Sequence, residues 1–412
     1  MRILHTVESY LPFKHGMSEV VKQISERLVV LGHDVTVATS SCSSRHINII
    51  NGVKIKSFNI KGNFVEGFQG EVDSYKSFLL NEQYDIIVNF AAQQWATDIC
   101  IEILPYLKAR KVFVPTGFSE LTNPAFALYF EKMKIWMKMY DMNVFLSDNY
   151  RDINFARNNN ISKLTLIPNG AAKDEFLFSN KEFDLRQNLK LPKKCKLILH
   201  VGSYTYVKGH EQALNIFLKS KLENVALVFI GSNFKEGEGR YFAEKLHWFK
   251  NLHILKRFIK PGERKELLFF FIKTRIKYLK KVFAISLSRD QLIAAYQQAD
   301  LFLFPSMIEC SPIVLFEAIA SKTPFLVTDV GNSKEIIEWT RGGELLPTII
   351  DTNGHSNAII DQSAQLMKSL LSNTTKLKEM SENGYLNWLN KFTWEEIALQ
   401  YEKMYVNLKN QI

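Results

Sequence analysis

Short apolar runs bounded by glycine or polar turns alternate along this chain with longer amphipathic stretches. Arg2-Ile-Leu-His-Thr-Val7 reads as a strand, Ser18 to Leu31 as an amphipathic helix stopped by Gly32, and Asp34-Val-Thr-Val-Ala-Thr39 as the next strand. A strand, a loop, a helix and a second strand in that order begin a β-α-β unit, so the sheet should be parallel with helices on its faces. Further strands are predicted at Asp85–Val88, Lys111–Val114, Met142–Leu146 and Leu164–Ile167. Charge is dense from Phe183 to Lys194 and Leu191-Pro192 breaks regular structure, which sets a first domain at residues 1–185. A second α/β series opens at Lys196–Val201 and continues through Ala226–Ile230, Leu301–Phe304 and Pro324–Thr328. It makes a second domain over 186–392. Thr393, with Glu396 three residues later, caps a final amphipathic helix.

Composition agrees with two domains of ordinary size. The chain has 412 residues, 46% of them hydrophobic and 12% aromatic, enough for two buried cores. Met1-Arg-Ile-Leu-His-Thr-Val reads as a strand rather than a signal peptide, and no apolar run has the length of a membrane span. The four cysteines, Cys42, Cys100, Cys195 and Cys310, are scattered without metal or disulfide spacing. These features lead us to expect a cytoplasmic protein.

The net charge of +10 is unevenly spread: ten basic and two acidic residues between His253 and Lys281 give +8 there. The excess has a local cause, which argues against a nucleic-acid-binding surface. From Glu263 to Lys281, Leu268, Phe271, Ile272, Ile276 and Leu279, with Phe283 beyond, form one helical face with basic residues around it. We expect an inserted helix over about 253–283. Such a helix either packs on its own domain or lies against an anionic membrane surface or a lipid-linked acceptor. The second alternative would make the protein peripheral at the inner face of the membrane.

The most informative chemistry follows the strand Ala299-Asp-Leu-Phe-Leu-Phe304, in Pro305-Ser-Met-Ile-Glu-Cys-Ser-Pro-Ile-Val-Leu-Phe-Glu-Ala-Ile-Ala-Ser-Lys-Thr-Pro324. Pro312 suits a first helical turn, where a missing N–H costs little. Glu309 then lies in the loop at the strand's C-terminal end, and Glu317 about a turn and a half into the helix. Ligands of open α/β sheets bind at that edge, and a helix start there favours phosphate. Two acceptor side chains flanking such amides suit a molecule with hydroxyls and phosphates, such as a nucleotide sugar. Taken alone, the spacing fits two solvated glutamates better than a ligand-binding pair.

Read as a whole, this run resembles the donor-sugar segment of family-four retaining glycosyltransferases with the GT-B fold. Many members have Gly-Phe-Gly after the first Glu, where this chain has Cys310-Ser311-Pro312. The resemblance extends over essentially the whole chain. It implies two Rossmann-like, doubly wound parallel-sheet domains facing across a cleft, with the helix at 393–412 crossing back to the first. It also implies that Glu317 accepts hydrogen bonds from ribose hydroxyls and Glu309 from donor-sugar hydroxyls. The amides of Ile313, Val314 and Leu315 would meet the diphosphate.

Val201-Gly-Ser-Tyr-Thr-Tyr-Val-Lys-Gly-His210 is similar to the family's phosphate-binding turn, with Gly202 for close backbone approach and Lys208 for charge. Ser203 stands where many members have Arg, so either another basic group substitutes or the hydroxyl only hydrogen-bonds. Pro168-Asn169-Gly170 matches a family turn. Gly16, before the first helix, stands for one glycine of a usual Gly-Gly pair. Gln93 and Gln94 follow one strand, and Thr116 and Ser119 the next; these four are the candidate acceptor contacts. Neither loop has the histidine many members place there. The implied partners are a nucleotide-sugar donor, with a UDP-sugar first in line, and a glycan or lipid-linked acceptor of surface polysaccharide or glycolipid synthesis. No cofactor or metal is expected, because Lys208 and the helix amides take a cation's place. An epimerase, hydrolase or phosphorylase on the same scaffold, and a non-catalytic sugar-nucleotide-binding protein, remain alternative readings of the residues.

Overall fold

The computed structural model describes residues 1–13, 15–177, 182–231 and 281–411. It divides into two units, Met1–Ala172 with Cys310–Ile313 and Asn390–Ile412, and Lys173–Glu309 with Val314–Leu389.

In the first unit the strands β1 (Arg2–Thr6), β2 (Asp34–Ser40), β3 (Ile49–Ile50), β4 (Val53–Phe58), β7 (Ile86–Phe90), β8 (Arg110–Val114), β9 (Met142–Phe145) and β10 (Leu164–Leu166) form one sheet. Its order is β10-β9-β8-β7-β1-β2-β4-β3, parallel throughout except for the short β3 edge. A hairpin of β5 (Ile60–Asn63) and β6 (Gly67–Gly70) follows β4. Successive residues of a strand face opposite sides. Leu4 and Ile87 accordingly enter a core with Trp95, Ile99 and Tyr129, while Ile3 and Val88 enter another with Val21, Ile24 and Leu28.

The second core also takes Trp394, Ile397, Tyr401, Tyr405 and Leu408, one face of the helix Trp394–Asn410. Thr393 caps that helix by accepting from Glu396 N at 3.3 Å. Arg27–Glu395 and His33–Glu402 contacts of 2.8 Å tie its polar side to the helix Gly16–Val30 and the turn after it. Gly170 has a steric reason: a Cβ there would stand 2.3 Å from Phe392 O.

The second unit's sheet contains β11 (Lys196–Val201), β12 (Val225–Ile230), β13 (Val282–Ile285), β14 (Leu301–Phe304), β15 (Phe325–Val327) and β16 (Gly343–Leu345). All neighbours are parallel, in the order β13-β12-β11-β14-β15-β16. This is a doubly wound sheet whose strand order reverses between β11 and β14, the position where such sheets bind ligands. In the first unit the reversal lies between β1 and β7. A further hairpin pairs β17 (Thr348–Ile350) with β18 (Ser356–Ala358).

The basic helix expected over about 253–283 falls outside the described residues up to position 280. At its end the structure corrects the reading: Phe283 lies in β13, opposite Val228 of β12, not on a helical face. An apolar residue at helical spacing is equally suited to a buried strand, and pairing with β12 decides between them.

Candidate active site

β11 and β14 are buried on both faces, so the polar groups at their ends converge at one edge of the sheet. After β11 the chain makes a 3-10 turn at Tyr206–Lys208 and enters the helix His210–Ser220 through Gly209. Gly209 has φ +71°, and a Cβ there would lie 1.8 Å from Pro305 O. Only glycine lets the two loops stand this close. Met307 N then donates to Val207 O at 2.7 Å, and Thr328 Oγ1 donates to Ser306 O.

Within this frame Lys208 Nζ lies 2.6 Å from Glu309 Oε1, and Ser306 Oγ donates to the same oxygen at 2.7 Å. Glu309 is nearly covered, whereas Lys208 is about a quarter exposed. Two groups predicted separately for sugar and diphosphate are therefore one hydrogen-bonded pair. Gly202 lies against the lysine stem; a Cβ added there would meet Lys208 Cβ and Cγ at 3.6 Å. Ser203 is exposed in the same turn.

The helix after β14 spans Ile313–Ala320, just past Pro312. The amides of Ile313, Val314 and Leu315 belong to the first turn, where N–H groups lack intrahelical acceptors. Glu317 is buried one turn further and pairs with Arg289, Nη1 to Oε1 at 2.6 Å. Arg289 also contacts Glu175, Nη2 to Oε2 at 2.5 Å. Neither Arg289 nor Glu175 figures among the sequence candidates. Ser288-x-x-Gln291, a capping box that puts Arg289 in the first helical position, was the available signal.

The candidate acceptor residues occupy the first unit. Four non-glycine residues in the two loops after β7 and β8 have positive φ: Ala91 (61°), Gln93 (63°), Thr116 (60°) and Phe118 (50°). Such backbone is costly, most of all for a β-branched residue like Thr116, and persists where surrounding contacts over-determine it. Those contacts are visible. Gln93 N donates to Tyr129 Oη at 3.0 Å, and Tyr129 donates to Asp98 Oδ1 at 2.8 Å. Gly117 N donates to Asp152 Oδ2 at 2.8 Å. Burial pushes both carboxyls up to about 6, against the hydrogen bonds that favour their charge.

Ser119 Oγ donates to Gln93 Oε1 at 3.1 Å and joins the two loops. Gln93 Nε2 is buried without a hydrogen-bond partner among the described residues. Gln94 differs. Its Oε1 accepts from Glu8 N at 2.8 Å, and its Nε2 donates to Phe90 O and Ala91 O. That side chain braces the loops after β1 and β7. Gly16 opens the helix Gly16–Val30, and a Cβ there would meet nothing within 4 Å.

The family profile described as glycosyl transferases group 1 matches residues 181–387, just over half the chain. The chain belongs to the glycosyl transferases group 1 family. This group 1 chain is 24% identical over 236 residues to N-acetyl-alpha-D-glucosaminyl L-malate synthase of Bacillus anthracis. That match covers 57% of this chain and 52% of the synthase, about half the relative's length. It is 23% identical over 407 residues to an uncharacterised glycosyltransferase of Methanocaldococcus jannaschii, covering 95% and 94% of the two chains.

Among solved structures, sucrose-phosphate synthase from Thermosynechococcus elongatus aligns with a TM-score of 0.72 at 16% identity, over 99% of this chain and 98% of that one. HepE of Anabaena, solved in complex with UDP-glucose, aligns with a TM-score of 0.69 at 15% identity, over 99% and 100%. At these identities the likeness is one of fold, and it assigns the group 1 chain to the GT-B class. Among the described residues, no helix is long and apolar enough to cross a membrane.

Proposed function

We propose that this group 1 chain is a retaining glycosyltransferase of the family-four type. It moves a sugar from a nucleotide-sugar donor, with UDP-sugars first in line, to a glycan or lipid-linked acceptor of surface polysaccharide or glycolipid synthesis. The observation that carries this reading is the Lys208–Glu309 pair at the strand-order reversal of the second sheet, beside the start of the Ile313–Ala320 helix. Glu309 binds hydroxyls of the donor sugar, and Glu317 those of the ribose. Gly202 and Ser203 line the approach of the diphosphate. The UDP-glucose complex of HepE supports beginning with uridine donors.

In this mechanism the bond between the anomeric carbon and the β-phosphate oxygen breaks, and its electrons pass to the departing nucleoside diphosphate. Lys208 and the amides of Ile313, Val314 and Leu315 stabilise the charge that develops there. The acceptor hydroxyl attacks from the face the diphosphate leaves, retaining configuration, and the leaving phosphate oxygen takes the acceptor's proton. No side-chain base and no metal are required. Gln93, Thr116 and Ser119 hold the acceptor, Gly16 leaves open space at the start of the first helix, and Gln94 braces the loops after β1 and β7. The setting is cytoplasmic.

Ligand-dependent thermal stabilisation across UDP-, GDP-, ADP- and CMP-sugars tests the reading, with Glu317→Ala beside the wild type. One donor class should raise the wild-type midpoint, and the variant should lose that rise. No rise with any donor would overturn the donor-site assignment.

A further inference from the structure

Glu317 lies within the Ile313–Ala320 helix with only 5% of its surface exposed. A carboxylate that deep needs a charged partner to stay ionised and a fixed rotamer to meet a ligand. Arg289 provides both. Nη1 holds Glu317 Oε1 at 2.6 Å, while Nη2 and Nε hold Glu175 Oε2 at 2.5 and 3.0 Å. Phe176 lies beneath the guanidinium, with its ring centroid 5.5 Å from Cζ. Three nitrogens and one ring thus fix a side chain that would otherwise have many rotamers. Burial works against the arginine's charge, but Glu317 and Glu175 outweigh it and hold the group above its usual pKa.

The location of Arg289 also points to a purpose other than helix stability. It is the first residue of the helix Arg289–Gln298, at the end where the dipole favours anions. Asp290 beside it has the sign expected there. Arginine is at a disadvantage in that position, and the two carboxylates reverse the balance. A lysine offers one point charge in place of the planar fork and cannot bridge both acids in the same way.

We propose that Arg289 is a positioning residue for the nucleotide's ribose: it turns Glu317 to receive the vicinal 2′ and 3′ hydroxyls, while Glu175 anchors the other side of the guanidinium. The inference rests on the ribose role given to Glu317 above. Arg289 touches no reacting bond. Its removal therefore acts on nucleotide affinity and on the choice of ribose over 2′-deoxyribose.

Isothermal titration of the full chain with UDP, GDP and ADP, each beside its 2′-deoxy counterpart, measures that choice as a ratio of Kd values. The wild type should prefer the ribonucleotide by about tenfold or more, the size of one hydrogen bond to a charged group. Arg289→Gln should bring the ratio close to one by weakening the ribonucleotide, with the 2′-deoxy Kd moving less than about threefold. Arg289→Lys should restore part of the ratio at most. Glu175→Gln leaves the Arg289–Glu317 contact in place and should give an intermediate ratio; it keeps the test open if Arg289→Gln fails to fold. A wild-type ratio preserved in the variants that fold overturns the positioning role and leaves the ribose contact standing. A wild type that binds both sugars equally overturns the ribose contact itself, and the positioning role with it.

Discussion

The loops at the strand-order reversal of the second sheet and the loops after β7 and β8 of the first are held in place by different means. In the second, opposite charges do the fixing: Lys208 with Glu309, and Arg289 with Glu317 and Glu175. The backbone carries one obligatory glycine, Gly209. In the first, the backbone itself is bent into costly conformations at Ala91, Gln93, Thr116 and Phe118, and buried carboxyls brace it through neutral donors. On the proposed reaction, charge beside the diphosphate is part of the chemistry, because it meets charge that develops there. A loop that shapes a hydroxyl-bearing acceptor needs form more than field. The contrast predicts that substitutions in the second unit act on turnover and those in the first on acceptor affinity.

The largest effect should follow Lys208→Ala. If Lys208 stabilises the leaving diphosphate, turnover of the donor falls by about 10²–10³-fold, the range for removing one preorganised donor at developing charge. The acceptor KM should stay within about threefold of wild type, a change of less than about 0.7 kcal/mol. Steady-state rates with the donor picked by thermal stabilisation measure both. A variant that loses acceptor affinity and keeps kcat would break the comparison at its stronger side.

The same contrast governs what was legible in the sequence. Lys196–Val201 and Leu301–Phe304 are strands because largely apolar runs flanked by turns have few alternatives in a parallel sheet. Pro312 marks the helix start to within a residue, and Thr393 with Glu396 marks the last helix. Local chemistry fixes such features, so the sequence shows them. The Arg289–Glu175 bridge joins residues 114 apart; the capping box at Ser288 marks a helix start at Arg289 but not its partner. The strained loops after β7 and β8 were hidden for another reason. Apart from Gly117, their positive-φ positions are Ala, Gln, Thr and Phe, which lack the usual glycine mark of such backbone. Gln94 makes three backbone hydrogen bonds, to Glu8, Phe90 and Ala91, and its bond to Glu8 N joins loops far apart in sequence, which no local pattern shows.

A second prediction concerns the braces. Asp98 and Asp152 rise from 3.8 to about 6 in the fold. The folded state therefore holds protons that the unfolded chain releases near pH 4. Their contribution is fully present below about pH 4 and is lost as pH rises through about 6, at most about 3 kcal/mol for each carboxyl. Replacing each by Asn removes the titration. Thermal midpoints from pH 4 to 7 should decline less steeply in Asp98→Asn and Asp152→Asn than in the wild type. Equal slopes would mean that these carboxyls are not raised, and that the loops are held by packing alone.

The smallest effect sharpens the comparison most. Ser119 is exposed, and its hydroxyl makes one neutral hydrogen bond, to Gln93 Oε1 at 3.1 Å. Ser119→Ala removes that link and one hydroxyl from the acceptor loops while leaving Asp98, Tyr129 and Asp152 untouched. A neutral bond of this kind contributes about 0.5–1.5 kcal/mol, so the acceptor KM should rise by roughly two- to tenfold. Neither charged pair of the second unit shares an atom with the change, so the donor KM and the thermal stabilisation by donor should remain as they are. Kinetics with each substrate varied in turn separates these outcomes. A rise in the donor KM matching that of the acceptor would mean that the two sets of loops do not divide their work, and the distinction between a charged donor side and a shaped acceptor side would fall.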